Sequence, residues 1–213
     1  MAPALEKLAE GLRGAVRVAA VNCAKHQSLC AKNRVSSYPT IKIIGPGGAQ
    51  DYRGPRSAKA MRNAAAAAVP ADAVRVLGAD RAESLDKARE RFCTGSGADG
   101  RPQVCVVVLS PRGEASLLLR SVAAAMADKE AAGRSKRAEV TFLHLDTGRS
   151  GQHAAVAARA FALDEPADAA SSTIALVHAG RAVPHAREAP TFGMLTSWLS
   201  SGVSQLLGKR RRQ

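Results

Sequence analysis

The sequence predicts an α/β fold, in which short apolar strands alternate with amphipathic helices. The strongest strand is Gln103–Leu109, QVCVVVL, whose unbroken β-branched run is typical of a strand buried on both faces of a sheet. Apolar residues at helical spacing recur between such runs, most clearly near the C-terminus. With 213 residues, 46% of them apolar, the chain can form one large or two small cores.

The first part of the chain begins with a predicted amphipathic helix, Met1–Gly11, because its leucines recur at helical spacing as far as Leu12. The apolar, valine-rich run Val16–Val21 then predicts a buried strand. Between Cys23 and Asn33 the pattern favours a short helix that ends in a turn.

An aromatic residue precedes a proline in the loop that follows, at Tyr38-Pro39, where a cis bond has an appreciable population and helix is disfavoured. A strand is predicted directly after this loop, and dense turn residues then predict a hairpin and a final helix. The predicted elements are the strand Ile41–Ile44, the turn Gly45–Gly48, the strand Ala49–Tyr52, and a helix capped by Ser57 that runs to about Val69.

A boundary is predicted near Pro70-Ala71-Asp72, and a second series of elements follows it. These are the strand Val74–Leu77, the helix Ala82–Phe92, the strand Gln103–Leu109, the helix Glu114–Ala132, the strand Val140–Leu145, the helix Gln152–Phe161, the strand Thr173–His178 and the strand Ala182–Val183. Thr191 caps a last helix, whose predicted apolar stripe is Met194, Leu195, Trp198 and Leu199.

Two motifs in the first part resemble the protein disulfide isomerase family: Tyr-Pro-Thr-Ile-Lys-Ile at Tyr38–Ile43 and Asp-Tyr-x-Gly-x-Arg at Asp51–Arg56. The resemblance implies a thioredoxin-like fold made of a partial redox-type domain at residues 1–70 and a complete redox-silent domain at residues 71–207. Residues 208–213 form a basic tail. The arrangement resembles isomerases that have two redox domains followed by one silent domain.

The start of the sequence, Met1-Ala2-Pro3, resembles the residues that follow the redox motif Cys-Gly-His-Cys-Lys in these isomerases. We therefore expect the native protein to continue upstream into the redox half of the domain. In a thioredoxin sheet a further strand lies between the strands at Val16–Asn22 and Thr40–Ile44, so a vacant slot is expected there. The second domain departs from the redox pattern, because Ala170–Thr173 stands where a cis-proline is usual.

Four cysteines occur at spacings that match neither a redox pair nor a zinc site. The resemblance implies two local disulfides, Cys23 with Cys30 and Cys93 with Cys105, and hence an oxidising compartment. The residues alone also allow four reduced thiols that act as small hydrophobic side chains. The family resemblance implies the lumen of the endoplasmic reticulum, although neither a signal peptide nor a Lys-Asp-Glu-Leu retrieval sequence is recognisable.

The net charge of +13 raises the question of nucleic acid, but the basic residues are scattered and aromatic residues make up only 3% of the chain. Solvated basic faces explain this composition better than a nucleic-acid site does. The five histidines, His26, His144, His153, His178 and His185, show no ligand spacing, so no metal or cofactor is predicted. No apolar run is long enough to predict a membrane span.

Thiol-disulfide exchange in this family uses a Cys-x-x-Cys pair that the sequence lacks, so no catalytic residue is assigned. The resemblance leaves Tyr38 and Pro39 as the substrate-binding wall. Three interpretations stay open: isomerase-type folding of secretory proteins by the parent family, a non-catalytic chaperone or partner-binding module, and a basic scaffold in a ribonucleoprotein assembly. The first two imply unfolded or cysteine-containing client polypeptides as partners, and the oligomeric state is left open.

Overall fold

The structure is a computed structural model that describes residues 2–45, 48–133, 137–148, 150–164, 172–185 and 190–208. The predicted centre of the first hairpin turn, two residues of the segment 170–173 and residues 209–213 of the basic tail therefore lie outside the described residues, as does Met1. None of the helices in the described ranges is long and apolar enough to cross a membrane.

The first part of the chain contains three helices and one hairpin. The elements are α1 (Ala2–Gly11), α2 (Gln27–Lys32), β1 (Lys42–Gly45), β2 (Gly48–Asp51) and α3 (Ala58–Ala67). The strands β1 and β2 pair with each other in antiparallel register, and Ser57 caps α3 by accepting a hydrogen bond from the Ala60 amide. A small core forms where α1 packs against α3, and its buried residues are Leu8, Leu12, Met61 and Ala65.

The predicted strand at Val16–Val21 is wrong. Residues 17–22 belong to no strand of the structure, and Val21 is 52% exposed. A strand exists only where its backbone groups meet a partner, and the neighbouring β1 pairs in the described residues with β2 alone. The apolar composition of the run therefore did not suffice to make it a strand.

The second part contains a five-stranded mixed sheet. A single 3₁₀ turn, Ala71–Ala73, leads into β3 (Arg75–Gly78), α4 (Ala82–Cys93), β4 (Gln103–Ser110), α5 (Leu117–Ala131), β5 (Glu139–Asp146), α6 (Gly151–Ala160), β6 (Thr173–His178), β7 (Arg181–Pro184) and α7 (Phe192–Leu207). The strand order is β3-β5-β4-β6-β7. Strands β3, β5 and β4 are parallel to one another, β6 is antiparallel to β4, and β7 is antiparallel to β6.

The central strand β4 is buried on both faces, as the sequence predicted. Val104, Val106 and Val108 face a core formed with α5 and α7, whereas Cys105, Val107 and Leu109 face a core formed with α4 and α6. This alternation follows from the two-residue period of a strand. Helices on both faces of this sheet give the thioredoxin-like α/β topology, so the predicted fold class is confirmed.

Two details of the second part differ from the prediction. Helix α5 begins at Leu117 and not near Glu114, because the Ser116 hydroxyl caps it by accepting a hydrogen bond from the Leu119 amide at 3.2 Å. Met194, which was predicted to lie in the apolar stripe, is 42% exposed and lies outside the buried face of α7.

Helix α7 packs closely on β6 at Gly202, which lies on the buried face of the helix. A Cβ at Gly202 would lie 2.4 Å from Leu176 Cδ1, so only glycine fits there without a shift of Leu176.

Hydrogen bonds and apolar packing join the two parts. Arg120 of α5 donates hydrogen bonds to the Ala66 and Val69 carbonyls at the end of α3, at 2.9 and 2.7 Å. The Phe192 amide at the start of α7 donates to the Gly14 carbonyl at 2.8 Å, and Leu117 packs against the small core. The first part is thus held against the starts of α5 and α7.

Candidate functional site

The Tyr-Pro-Thr motif forms an exposed loop that leads into β1. The Tyr38–Pro39 peptide bond is cis, and the Thr40 hydroxyl donates a hydrogen bond to the Ser37 carbonyl at 2.6 Å. Tyr38 is 73% exposed, so its ring is available to a partner. The local hydrogen bond therefore shapes the loop without using the tyrosine side chain.

The second motif supports the same loop from the hairpin. The Tyr52 amide donates to the Ile41 carbonyl at 2.8 Å, and the Tyr52 hydroxyl donates to the Pro55 carbonyl at 2.8 Å. Arg56 makes a long 3.5 Å contact from Nη2 to the Pro39 carbonyl. The two motifs that carry the family resemblance are therefore in contact in three dimensions.

An ion pair joins β1 to β2 beside this loop. Lys42 donates a hydrogen bond to the Asp51 carboxylate across the hairpin, at a register pair of the two strands. This hydrogen bond lowers the pKa of Asp51, and the positive charge of Lys42 adds to the effect. This ion pair favours the observed register between β1, which follows Tyr38-Pro39, and β2.

The first cysteine pair lies on the chain segment before the loop. Cys23 and Cys30 form a disulfide with their Cα atoms 5.8 Å apart, and Cys30 is a buried residue of α2. The backbone of α2 is held independently, because the Cys30 amide donates to His26 and the Cys30 carbonyl accepts from Val35. Cys23, in the turn before the helix, is only half-buried.

An open groove of about 700 Å³ lies between this disulfide and the Tyr38 loop. Its wall includes Cys23, Cys30 and Tyr38, together with apolar Val21 and Val35. Asn22 and Gln27 also line it, and the Asn22 side-chain oxygen accepts a hydrogen bond from the Ala24 amide at 3.0 Å. A groove of this volume, with both apolar and polar residues in its wall, is large enough for a ligand of a few residues.

The chain segment that contributes the residues of the groove is positively charged. The sequence from Gly11 to Gln50 contains no aspartate or glutamate, and its basic residues are Arg13, Arg17, Lys25, Lys32, Arg34 and Lys42. Of these, Lys42 alone forms an ion pair with a carboxylate in the described part of the chain. The segment therefore presents uncompensated positive charge to an approaching ligand.

The other cysteine pair is buried in a core on one face of the five-stranded sheet. Cys93 at the end of α4 and Cys105 of β4 form a disulfide with Cα atoms 5.1 Å apart, and both residues are 0% exposed. They pack in the core formed with α4 and α6, among residues such as Val107 and Phe161. This disulfide tightens the core and is out of reach of a ligand.

Two histidines of the second sheet have structural roles. His144 is buried and its Nε2 donates to the Arg112 carbonyl at 2.6 Å, while Nδ1 of His178 donates to the Gln103 carbonyl at 2.6 Å. Across the described ranges, no group of three or more histidine, cysteine or acidic residues is placed to hold a metal ion.

The structure thus brings three of the six site residues predicted from the sequence, Tyr38, Cys23 and Cys30, to one groove. Pro39 is bonded to Tyr38 but is not one of the lining residues, and Cys93 and Cys105 lie in the core of the second part. The sequence did not indicate that the first disulfide and Tyr38 line one groove, nor that Asn22, Gln27 and Val35 complete it. The spacing offered one indication, because the short α2 ends only six residues before Tyr38 and must return the chain close to Cys30.

Part of this chain is similar in sequence to known proteins. The family model described as Thioredoxin matches residues 1–67. The protein disulfide-isomerase A6 homolog of Drosophila melanogaster is 40% identical over 80 residues, which cover 37% of this chain and 18% of the relative. Protein disulfide-isomerase A6 of Mus musculus is 41% identical over 71 residues, which cover 32% of this chain and 16% of the relative.

These matches show that the chain is similar to thioredoxin domains and to protein disulfide isomerases. The chain spans about a fifth of the length of these curated relatives, or less. Among solved structures, one crystal form of ERdj5 aligns with 93% of this chain and 24% of its own, at 17% identity and a TM-score of 0.48.

Proposed function

We propose that the chain takes part in protein disulfide isomerase-type handling of cysteine-containing polypeptides, and that the groove beside Tyr38 holds an extended client segment. The observation that carries the proposal is the shared groove, in which an exposed aromatic ring and a disulfide line one wall. The sequence contains no Cys-x-x-Cys pair, so the proposed contribution of these residues is client binding.

The chemistry of the groove favours an unfolded segment over a folded surface. An exposed tyrosine with two valines offers apolar contact to side chains, and the Asn22 and Gln27 amides can hydrogen-bond to a peptide backbone. Backbone contacts of this kind accept many sequences, which a folding factor requires. The positive surroundings add attraction for acidic clients.

The proposal extends to organisation and location. Residues 1–70 form the client-binding part of a thioredoxin domain, residues 71–207 form a redox-silent thioredoxin-like domain, and residues 208–213 form a basic tail. Two disulfides suit an oxidising compartment, and the related isomerases lead us to propose the lumen of the endoplasmic reticulum.

Client binding is tested with a fluorescein-labelled extended peptide whose cysteines are replaced by serine, so that no covalent bond can form. Fluorescence anisotropy should show saturable binding to the wild-type chain. Tyr38→Ala should weaken the binding by about fivefold to tenfold, because truncation of a central aromatic contact costs more than about 1 kcal/mol.

Ile44→Ala is the matched control, because Ile44 is also 73% exposed and does not line the groove. It should bind the peptide as the wild type does. Equal affinities of the wild type and Tyr38→Ala, or a loss in Ile44→Ala as large as in Tyr38→Ala, would remove the groove from the proposal.

A further inference from the structure

The two disulfides of this chain differ in their access to solvent. Cys93 and Cys105 are both 0% exposed inside the second core. Cys23 is half-buried and Cys30 is 6% exposed, and both line the groove of about 700 Å³. Exchange requires a thiolate to reach one sulfur of the bond, so access separates a reactive disulfide from an inert one.

We propose that Cys23–Cys30 is itself a thiol-disulfide exchange site, with the groove as the path of the incoming thiol. The assignment rests on the proposed function only for the delivery of a client cysteine, since small thiols need no peptide binding. It differs from Cys-x-x-Cys chemistry because the two cysteines are seven positions apart and span the start of α2.

The exposure of the two cysteines sets the direction of attack. Cys23 is the more accessible of the pair, so the incoming thiolate forms a bond to Cys23 Sγ. The Cys23–Cys30 bond breaks, and Cys30 leaves as a thiolate. A second client thiolate then attacks the client sulfur of the mixed disulfide, which forms the client disulfide and releases the Cys23 thiolate.

The balance of the reaction is two electrons. The client dithiol loses two electrons and two protons as its disulfide forms, and the Cys23–Cys30 pair gains them as two thiols. A small-molecule disulfide such as glutathione disulfide reverses the same steps and restores the bond. Without net oxidation, the mixed disulfide at Cys23 supports exchange between client disulfides.

Charge favours both the approach and the departure of the sulfur anions. Lys25 lies between the two cysteines in the chain, and Lys32 follows Cys30 in the last turn of α2. No acidic residue lies between Gly11 and Gln50 to neutralise them. Positive charge near a cysteine stabilises the thiolate, and it also attracts an anionic thiol such as glutathione.

The backbone around Cys30 favours re-formation of the Cys23–Cys30 disulfide. The backbone of α2 around Cys30 is held by its own hydrogen bonds to His26 and from Val35, which do not depend on the disulfide. The Asn33 side chain adds a further bond to the Leu29 carbonyl at 2.9 Å. Cys30 therefore stays near Cys23 when the bond is open, and the loop to be closed is short.

The test uses the full chain in glutathione redox buffers of graded composition, with acid quenching, alkylation of free thiols and peptide mapping by mass spectrometry. We expect Cys23 and Cys30 to become reduced at least about a hundredfold faster than the buried pair. A glutathione adduct should form on Cys23 in preference to Cys30. Equal rates for the two disulfides, or an adduct that favours Cys30, overturns the proposal.

Two variants add a direct comparison. Cys30→Ser leaves Cys23 as a free thiol that should trap a disulfide-containing peptide as a mixed disulfide, whereas Cys105→Ser leaves Cys93 buried and should trap none. If either variant fails to fold, the mapping of the wild-type chain still decides the outcome. If folded Cys105→Ser traps the peptide as fast as Cys30→Ser does, solvent access to the cysteine does not control the reaction, and the proposal is contradicted.

The outcomes also separate this inference from the proposed function. Tyr38→Ala should weaken binding of the serine-substituted peptide by about fivefold to tenfold, whereas Ile44→Ala, outside the groove, should keep both the wild-type binding and the wild-type rate of exchange with glutathione. No exchange at Cys23–Cys30 with intact peptide binding overturns the exchange site alone. Exchange without binding of the serine-substituted peptide overturns the client groove alone.

Discussion

The two parts of the chain bury their strands to very different extents. In the second part, β4 is paired on both edges and covered by helices on both faces. In the first part, β1 and β2 pair only with each other among the described residues, and Ile44 of β1 is 73% exposed. A thioredoxin-like pattern of elements is therefore not enough for a core, because burial depends on the number of strands that pair.

The two parts also differ in which of them holds the reactive groups and which of them holds the buried core. The inaccessible disulfide and most of the buried apolar side chains belong to the second part. The accessible disulfide, the groove and the exposed tyrosine belong to the first part. Binding and exchange need exposed, less constrained groups, so the less buried part is the better place for them.

The largest expected difference between the parts is the ability to fold alone. Ala71–Leu207 should unfold in a single cooperative transition, because its sheet and both cores are internal to it. Met1–Pro70 should show no cooperative transition, because a two-stranded hairpin with one small core is marginal in water. Thermal melts of both fragments by circular dichroism test this, and a sharp transition in Met1–Pro70 would contradict the comparison.

A smaller effect is expected from one side chain in each part. Leu143→Ala in β5 removes a 0% exposed residue of the core and should lower the free energy of unfolding by about 2 to 5 kcal/mol. Ile44→Ala in β1 should change it by less than about 0.5 kcal/mol, because the side chain is already in water. Urea titration measures both, and similar losses in the two variants would show that the hairpin is more buried in solution.

The smallest expected effect concerns pH. Burial raises the pKa of Glu130 above its usual 4.5, although its carboxylate accepts a hydrogen bond from the Val140 amide. Between the unfolded and folded pKa values the native state binds more protons, so the free energy of unfolding falls as pH rises there. Glu130→Gln removes this titration and should therefore gain stability relative to the wild type as pH rises from 4.5 through the raised pKa of Glu130.

The readout for that prediction is the single tryptophan, Trp198, which reports on the second part through α7. Urea titrations followed by its fluorescence should show the gap between Glu130→Gln and wild type widening as pH rises. A gap for Glu130→Gln that is constant or narrows with rising pH is the contrary result.

Most elements of the fold were predictable, because their determinants are local. Ser57 and Thr191 were identified as helix caps from their positions before apolar stripes, and both hydroxyls accept the expected amide hydrogen bonds. The strand at Val16–Val21 was not a strand, since its formation depends on a partner and not on its own composition. The start of α5 was missed because Ser116 offered a cap after a turn longer than expected.

The candidate site was predictable only in pieces. The sequence motifs indicated Tyr38 and Pro39, and the family resemblance indicated the cysteine pairs, but no local pattern stated which disulfide was accessible. That distinction comes from the sheet, because β4 and α4 enclose Cys93 and Cys105 between layers. The turn at Cys23 has no layer above it and lines an open groove.

By itself, the amino-acid sequence determined most of the helices and strands and their order, the caps, the two family motifs and the absence of Cys-x-x-Cys, all of which depend on neighbouring residues. The tertiary structure alone decided which strands found partners, which disulfide stayed exposed and that Tyr38 faces the same groove as Cys23 and Cys30. The physical reason is that pairing and burial depend on groups far apart in the chain, whose proximity no local pattern encodes.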